Sequence, residues 1–382
     1  MYKIPLAKPD ITDLDRRAVL EVLKTPNLSL GPKLKEFEEK IAQFIGVKYA
    51  VGVNSGTSAL HLIIRALGIK DGDEVITTPF TFIASSNCVL YERAKPIFVD
   101  IDEKTLNIDP DKIKKTITNL PAGRQEKLKA ILAVDIFGHS ADWDKILKIA
   151  KKYKLKVIED SAEAIGSEYK GKKCGSFGDT AILAFYANKQ ITTGEGGMVL
   201  TNNKKIAGLY QSMANQGREI KNGKWLEHIR LGYNYRLDEM SCALGVAQLR
   251  RINEILKKRE KVAKMYNERL KEFPDVELPY IAPDVKISWF VYVIKLSHKY
   301  SQRDRDRIIK EMERVGIQCG NYFQPVHLQL FYRKMFGYKP GDFPICESIS
   351  QRTIALPFYN NLREKDIDFV VKNFKKVIDK LK

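Results

Sequence analysis

The chain has 382 residues, of which 44% are hydrophobic and 29% are charged. This balance is typical of a globular protein and excludes a disordered chain, a collagen and a disulfide-built miniprotein. At about 150 residues per domain, the length predicts two domains, or three. Lys and Arg number 65 against 47 Asp and Glu, which gives a net charge of +18.

The surplus of positive charge has two explanations. One is a basic protein that binds nucleic acid, and the other is a set of lysines that solvate helix faces. The lysine-rich runs KKYKLK, KKREKVAK and KNFKKVIDKLK carry apolar residues at helix or strand spacing, and none is joined to aromatic residues at RNA-binding spacing. We therefore favour solvated faces and expect no nucleic-acid partner, with nucleic-acid binding as a remote alternative.

The sequence also indicates a compartment. MYKIPLAKPDITDLDRR lacks the apolar run of a signal peptide, and no window has about 18 consecutive apolar residues. The five cysteines are scattered and form no CxxC pair, which favours reduced thiols in a cytoplasm. We expect a cytoplasmic protein that makes no membrane contact.

The first 200 residues alternate short apolar segments with segments of helical periodicity. Such alternation predicts βαβ units and a mostly parallel sheet, and hence the α/β class. The predicted strands are YAVGV, DEVITT, PIFVDI, KAILAVDIF and KVIED. The predicted helices are KLKEFEEKIAQFIG (ending at Gly46), NSGTSALHLIIRALG, TFIASSNCVLYERA, DPDKIKKTI and ADWDKILKIAKKYK, and TNLPAGRQEKL is expected to be a surface connection.

The pattern changes from about Leu237. A long helical stretch, EMSCALGVAQLRRINEILKKREKVAKMYNERLKEF, has Gly245 as its only interior weak point. The strand WFVYVIKL, the helix RDRDRIIKEMERVG and the closing helix EKDIDFVVKNFKKVIDKLK follow. We therefore expect a large domain over residues 1–250 and a smaller α+β domain over residues 251–382.

The segment NSGTSAL, Asn54–Leu60, follows a predicted strand and opens an apolar helix. Backbone N–H groups at a helix N-terminus, aided by hydroxyl residues, can bind an anion. Alternatively, Ser55 or Thr57 caps the helix. Both interpretations remain open at this point. The segment lacks the GK[ST] of a Walker motif and the GxGxxG of a dinucleotide site.

Two other segments place functional side chains at strand ends. In VIEDSAEAIG a strand ends at Glu159–Asp160 and a helix is expected to follow, so Asp160 either faces a ligand or caps that helix with Ser161. In AILAFYANKQITTGEGGMV, Lys189 is either a surface lysine or emerges from a buried strand. Burial lowers the pKa of a lysine and makes its amine nucleophilic, as Schiff-base chemistry requires.

Two other catalytic classes lack a signature. The five histidines stand far apart without HExxH spacing, so we expect no metal site. The chain also has no GxSxG elbow, which argues against a Ser–His–Asp hydrolase.

In this order, the motifs resemble the DegT/DnrJ/EryC1/StrS family of sugar aminotransferases, which use pyridoxal phosphate (PLP). The resemblance covers essentially the whole chain, from LAKPDIT through NSGTSALHL, VIEDSAEAIG, NKQITTGEGGMV and GYNYRLDEMSCALG to QPVHLQLFYRKMFG. Within the family, EDSAEA and NKQITTGEGGMV are most similar to GDP-perosamine synthases and other enzymes that make 4-amino-4,6-dideoxyhexoses. The resemblance implies fold type I, with a large α/β domain, a smaller C-terminal domain and a homodimer that shares its active sites.

The resemblance also implies roles for individual residues around the cofactor ring. Lys189 matches the lysine that binds PLP covalently, and Asp160 matches the carboxylate beneath the pyridine nitrogen, whose charge keeps that nitrogen protonated. Phe82 matches the aromatic residue that stacks on the ring, and Glu163 matches a polar residue near the 3-hydroxyl.

Other matched residues would contact the cofactor phosphate and the sugar. Asn234 would reach the phosphate from the other subunit, and Tyr322 and His327 lie where the family lines its sugar site. Relatives commonly have a serine five residues before the lysine, where this chain has Ala184, so one phosphate hydrogen bond is expected to be missing. The residues that match the phosphate cradle are Gly56, Thr57 and Ser58.

The implied reaction moves an amino group from L-glutamate to a nucleotide-diphosphate 4-keto-6-deoxyhexose, for the synthesis of surface polysaccharide, such as lipopolysaccharide O-antigen, or of glycosides. Lys189 would act as both nucleophile and general acid/base. Two alternatives within the family are amination at carbon 3 and removal of a sugar hydroxyl by a dehydratase. Dehydratases have a histidine in place of the lysine, so Lys189 argues against that activity.

Overall fold

A seven-stranded sheet forms the centre of the protein in the computed structural model, which describes residues 2–221 and 224–381. Within those ranges, every helix is too short or too polar to cross a membrane. The strands are β1 (Tyr49–Val53), β2 (Glu74–Thr77), β3 (Lys95–Phe98), β4 (Leu128–Val134), β5 (Lys156–Asp160), β6 (Glu168–Tyr169), β7 (Lys172–Lys173), β8 (Thr180–Ala184), β9 (Gly197–Thr201), β10 (Arg218–Lys221), β11 (Lys224–His228), β12 (Val276–Glu277), β13 (Val285–Lys286), β14 (Tyr292–Leu296) and β15 (Thr353–Leu356). The helices are α1 (Asp13–Leu23), α2 (Pro32–Ile45), α3 (Gly56–Ala66), α4 (Ala84–Tyr91), α5 (Pro110–Asn119), α6 (Ala122–Gln125), α7 (Trp143–Tyr153), α8 (Lys204–Ala214), α9 (Glu239–Arg250), α10 (Ile252–Leu270), α11 (Gln302–Arg314), α12 (Leu330–Phe336), α13 (Pro344–Arg352) and α14 (Glu364–Asp379), with 3₁₀ turns at Ile136–Gly138 and Val326–Leu328.

The central sheet is mostly parallel. Its strands run in the order β1-β9-β8-β5-β4-β2-β3. β9 is antiparallel to β1 and β8, whereas the other neighbouring pairs are parallel. In the register, Val134 pairs with Asp160, and Asp160 pairs with Ile182. The carboxyl ends of β4, β5 and β8 therefore lie side by side, and the predicted α/β sheet is confirmed.

The strands of this sheet are buried on both faces, as expected for a parallel sheet between helix layers. Alternate residues of a strand point to opposite faces. In β8, Ile182 packs in one cluster with α3, whereas Ala181 and Leu183 pack with α2 and α9. In β4, Ile131 packs with α5 and α7, and its neighbour Leu132 belongs to the α3 cluster. This alternation explains the near-continuous apolar runs of the predicted strands.

A second hydrophobic core lies in the C-terminal part of the chain. It joins α10, α11 and α14 to the three-stranded sheet β12-β14-β15. Tyr266, Tyr292 and Phe374 are among its fully buried side chains, and Ile4 from the N-terminal segment packs into it. The division between residues 1–250 and 251–382 stays a prediction.

The stretch predicted as one helix from Glu239 is two helices, and the break is at Arg251 instead of Gly245. Arg251 has φ −101° and ψ 7°, and its guanidinium lies 3.1 Å from Asp10 and 3.1 Å from Asp15. Gly245 stays helical because α2 packs closely there, and a Cβ at this position would lie 2.6 Å from Phe37. The break is therefore set by tertiary ion pairs that helix propensity does not encode.

The segment after β5 also differs from the prediction. Residues 161–166 form turns and not the predicted helix. The Oδ1 atom of Asp160 accepts a hydrogen bond from the Ala162 N–H at 3.1 Å within the first turn. The interpretation of Asp160 as a helix cap is therefore wrong. The connection TNLPAGRQEKL contains the short helix α6.

Replacing Arg251 with Met should lower the free energy of unfolding by about 3 kcal/mol, because the buried carboxylates of Asp10 and Asp15 lose a cationic partner. Arg250→Met is the matched control. Its ion pair with Glu36 is more exposed, with 55% of the Arg250 side chain accessible, and should contribute less than about 1 kcal/mol. Urea unfolding of both variants measures the difference, and equal losses would contradict this account of the helix break.

Candidate active site

A cavity of about 380 Å³ opens at the carboxyl ends of β4, β5 and β8. In an open α/β sheet, this end of the strands is the usual place for a ligand. The first turn of α3, the segment before α4 and the loop after β8 complete the walls, and Tyr322 and Phe323 enter from the C-terminal part of the chain. Residues from the N-terminal and the C-terminal parts of the chain therefore line one cavity.

Lys189 lies in the loop after β8, and its side chain is only 12% exposed. The Nζ atom is 3.5 Å from Glu163 Oε1 and 4.0 Å from the centre of the Phe290 ring. The backbone N–H of Lys189 donates to the Tyr186 carbonyl at 2.9 Å, which fixes the loop. The lysine therefore emerges from a buried strand, as one of the two interpretations predicts, and lines the cavity.

Asp160 ends β5 and is 3% exposed. Its Oδ2 atom accepts a hydrogen bond from Ser85 Oγ at 2.7 Å, and its Oδ1 atom accepts from the Ala162 N–H. Burial raises the pKa of Asp160, whereas these hydrogen bonds and the charge of Lys189 lower it. The net effect is a pKa above the ordinary value for Asp160, so a cationic partner in the cavity is needed to keep this buried carboxyl group ionised.

Glu163 is a second buried carboxyl group in the cavity. Its Oε2 atom accepts a hydrogen bond from the Phe137 N–H at 2.9 Å, and its Oε1 atom faces Lys189. Burial raises the pKa of Glu163, and the charge of Lys189 opposes that rise. Gln190 donates to the Glu163 carbonyl at 2.6 Å, so the loop that carries the lysine is tied directly to the turn that carries Glu163.

The first turn of α3 combines a cap with an open anion site. Ser55 caps the helix, because its Oγ accepts from the Ser58 N–H at 3.0 Å, and Ser58 Oγ donates to Asn54 Oδ1 at 2.7 Å. The Ser58 hydroxyl is thus engaged locally, while Gly56 and Thr57 line the cavity. Their N–H groups have no partner within the helix and suit an anion such as a phosphate.

Close approach at this turn requires glycine at two positions. A Cβ at Gly197 of β9 would lie 2.4 Å from the Ser55 carbonyl oxygen. A Cβ at Gly56 would lie 2.9 Å from the Ala184 Cβ. The helix N-terminus is therefore seated directly on the ends of β8 and β9, with Ala184 beneath it.

The remaining predicted site residues lie in different places. Phe82 and Tyr322 line the cavity, and Phe82 is 60% exposed. His327 is fully buried, with its Nε2 atom 3.1 Å from Glu347 Oε1, and is not brought to the cavity. Asn234 is exposed, accepts a hydrogen bond from Asn54 at 3.4 Å through its carbonyl oxygen, and does not line this cavity either.

Sequence reasoning missed Ser85 and Phe290. Ser85 lies within a segment predicted only as a helix, and nothing in TFIASSN distinguishes it from Ser86. Phe290 precedes β14, about one hundred residues after Lys189 in the chain, and its apolar run predicts only a core strand. Both contacts arise from tertiary packing.

A separate buried carboxyl pair lies beside β5. Asp135, Glu159 and Cys174 hold potential ligand atoms within 4.8 Å of one another. The Glu159 oxygens accept from backbone N–H groups of residues 175, 177 and 178, and Ser161 Oγ donates to Asp135 Oδ2 at 2.6 Å. Burial raises the pKa of Asp135 and of Glu159. These groups are organised as a hydrogen-bonded structural cluster.

The residues of the cavity match the chemical groups of PLP. It offers an amine to a carbonyl carbon, a buried carboxylate to a ring nitrogen, and an exposed aromatic face in Phe82. The N–H groups of Gly56 and Thr57, which have no partner within the helix, suit a phosphate. The close contact with Ala184 leaves no room for a side chain at Gly56.

Comparison with known proteins agrees with this fit. The model of the DegT/DnrJ/EryC1/StrS aminotransferase family matches residues 9–375. An uncharacterized protein of Methanocaldococcus jannaschii is 42% identical over 98% of this chain and 97% of its own length. A GDP-perosamine synthase of Caulobacter vibrioides is 38% identical over 97% of this chain and 96% of its own length. Helicobacter pylori PseC, an aminotransferase involved in the biosynthesis of pseudoaminic acid, has a similar structure, with a TM-score of 0.93 and 31% identity over 99% of both chains.

Asp160→Asn should fold but lose about tenfold to a hundredfold in amino-transfer rate, because an amide supplies no negative charge and a charge-assisted hydrogen bond is worth about 1.5–3 kcal/mol. Asp142→Asn is the control, since Asp142 caps α7 away from the cavity and should change stability only. Steady-state kinetics and thermal unfolding separate the two effects. An Asp160→Asn enzyme with full activity and reduced stability would contradict the assignment.

Ala184→Ser should bind pyridoxamine phosphate more tightly, by up to about a hundredfold, because a hydroxyl beneath the first turn of α3 adds one charge-assisted hydrogen bond of about 1.5–3 kcal/mol. Ala181→Ser places a hydroxyl on the opposite face of β8 and serves as the control. Equilibrium dialysis measures the affinities. Equal or weaker binding by Ala184→Ser would show that the phosphate contacts are already complete.

Proposed function

Because the chain belongs to the DegT/DnrJ/EryC1/StrS aminotransferase family and is a PLP-dependent sugar aminotransferase, we propose that it aminates carbon 4 of a nucleotide-linked 4-keto-6-deoxyhexose with L-glutamate as the amino donor. A nucleotide-linked keto sugar and an amino donor are the two substrates of such an enzyme. The proposed product is a perosamine-like amino sugar for surface polysaccharide or glycoside synthesis.

The position of Lys189 carries the amino-transfer part of this proposal. Its amine lies in the cavity, 3.5 Å from Glu163 and close to the charge of Asp160. Transamination requires one base that moves a proton between two carbons, and a lysine amine in this position suits that role. A dehydratase of the same family would lack this amine, so the retained lysine favours amino transfer.

Other residues of the cavity would bind and orient the cofactor. PLP, when bound, supplies an electron sink for the carbon that loses its proton. Asp160 would hold a proton on the ring nitrogen through its negative charge, and Phe82 would cover one face of the ring. Glu163 would face the 3-hydroxyl. The phosphate would bind to the N–H groups of Gly56 and Thr57, beside Ser58.

We further propose that the active form is a homodimer with shared sites. Phe82 and Tyr186 line the cavity, yet they are 60% and 51% exposed, and aromatic residues at the mouth of a site favour a covering surface. Ile229 and Leu231 are 43% and 65% exposed on the segment that leads to Asn234. This segment would lie on the neighbouring subunit, where Asn234 would complete the phosphate site.

The proposed cytoplasmic location rests on cysteine chemistry. All five cysteines are free and buried, and burial raises the pKa of Cys88 and Cys174, so these thiols are inert. Proteins with free thiols are typical of reducing compartments.

The experiment that tests the proposed function offers [¹⁵N]glutamate with GDP-, UDP- and dTDP-linked 4-keto-6-deoxyhexoses and a matched 3-keto sugar. NMR then identifies the aminated carbon. We expect ¹⁵N on carbon 4 and fastest turnover with a GDP sugar, because the relative from Caulobacter vibrioides is a GDP-perosamine synthase. Label on carbon 3 only, or loss of a hydroxyl without label, would contradict the proposal.

Lys189→Ala should fold, lose the visible absorbance of the PLP-loaded protein and lose all measurable amino transfer, because no other amine replaces the nucleophile. Lys172→Ala, at an exposed lysine of β7, is the control and should retain both. Absorbance spectra and the ¹⁵N assay measure the outcome. Turnover like that of the unmodified protein in Lys189→Ala would refute the role of the lysine.

Mixing two inactive chains should restore activity if the sites are shared. Lys189→Ala and Asn234→Ala homodimers are each expected to be inactive or weak, but a heterodimer contains one intact composite site. Partial unfolding and refolding of the mixture, followed by activity assay, tests this expectation. Activity in a strictly monomeric preparation would contradict it.

A further inference from the structure

Arg259 is a buried cation without a carboxylate partner. It lies on α10, is 3% exposed, and forms no ion pair with any residue in the described ranges 2–221 and 224–381. Its guanidinium instead donates three hydrogen bonds to neutral acceptors: the Trp289 carbonyl at 2.6 Å, the Phe290 carbonyl at 2.7 Å and Asn360 Oδ1 at 2.7 Å. A buried charge satisfied in this way fixes the acceptors in place.

Two of these acceptors belong to a strained backbone segment. Trp289 has φ +51°, a left-handed conformation that a bulky residue rarely adopts. Such a conformation persists only where the surrounding contacts determine it. The Arg259 guanidinium binds the carbonyl of Trp289 itself and the next carbonyl along the chain, that of Phe290.

The segment that Arg259 binds, Trp289 and Phe290, faces the amine of Lys189. Phe290 is 2% exposed, lines the cavity, and its ring centre lies 4.0 Å from Lys189 Nζ. A lysine ammonium at this distance over an aromatic face is attracted by the ring, more strongly when water is excluded. The same segment contacts the lysine loop through Ser288, whose Oγ accepts from Gln190 Nε2 at 2.9 Å.

We propose that Arg259 is a positioning residue for Lys189: by holding the Trp289 and Phe290 carbonyls, it keeps the Phe290 ring against the lysine amine. The inference rests on the proposed role of Lys189 and is independent of which sugar is aminated. Arg259 touches neither the amine nor the cavity, and it acts through one aromatic ring.

The ring is one of several groups that face the amine. Glu163 and Asp160 present carboxyl groups from the segment at the end of β5. Tyr186 and Glu195 of the loop after β8 and Tyr322 of the C-terminal part also line the cavity. None of these titratable residues is substituted in the variants below. A change in the protonation behaviour of the amine therefore reports on the ring.

The experiment adds PLP to the apoenzyme and follows the rise of visible absorbance by stopped flow from pH 6 to pH 10. Only the unprotonated amine of Lys189 attacks the carbonyl, so the rate rises with pH. The measured quantity is the pH of half-maximal rate. Phe290→Leu should lower this pH by about 0.5–1 unit, because the ammonium form loses its ring contact.

Arg259→Met should lower the half-maximal pH in the same direction, and the double variant Arg259→Met/Phe290→Leu should shift it no further than Phe290→Leu alone, since both changes remove one contact. Arg259→Lys retains a positive charge but loses the planar guanidinium that donates to both carbonyls, so it should give an intermediate shift of the half-maximal pH. It also keeps the test open if Arg259→Met does not fold. Phe374→Leu, in the second hydrophobic core to which α10 contributes, is the control and should lower only the thermal unfolding temperature.

An unshifted half-maximal pH in both Arg259 variants, or shifts that add in the double variant, would overturn the inference and leave Arg259 as a purely structural residue. Failure of the unmodified apoenzyme to gain absorbance with PLP would instead refute the proposed role of Lys189. The two failures are therefore distinguishable.

Discussion

The buried carboxylate of Asp160 is the constraint around which the site is built. This carboxyl group at the end of β5 has little access to water, and burial raises its pKa. Hydrogen bonds from Ser85 and the Ala162 N–H, together with the charge of Lys189, offset part of that rise. The turn after β5, in place of a helix, leaves this carboxylate facing the cavity. Lys189, the first turn of α3 and Phe82 line the same cavity around this carboxyl group.

Elements with strong local signals could be predicted from the sequence. The strands of the central sheet are near-continuous apolar runs because both faces are buried, and α2 ends at Gly46 as its left-handed φ of +87° requires. The burial of Lys189 could be predicted because an apolar strand leads into it. The break at Arg251 could not be predicted, because ion pairs with distant residues accompany it. The turn after Asp160 could not be predicted either, because beside its local hydrogen bond it is held by Asp135 and Gln190. For the same reason, Ser85 and Phe290 could not be identified as site residues.

The two parts of the chain meet at the amine. β8 and its loop carry Lys189 from the central sheet, whereas the Phe290 ring reaches it from the C-terminal part and is held there by Arg259 of α10. The geometry of the amine thus depends on contacts from both parts of the chain. By contrast, Phe82 and Tyr186 lie at an exposed mouth of the cavity.

The most direct test of the central claim is the protonation of the cofactor ring beside Asp160. The protein is loaded with PLP that carries ¹⁵N in its ring, and the nitrogen chemical shift is recorded between pH 6 and pH 9. A negative charge at Asp160 predicts a protonated nitrogen throughout this range, and an unprotonated nitrogen in Asp160→Asn. An unprotonated ring nitrogen in the unmodified protein at pH 7, or the same shift in both proteins, would contradict the account.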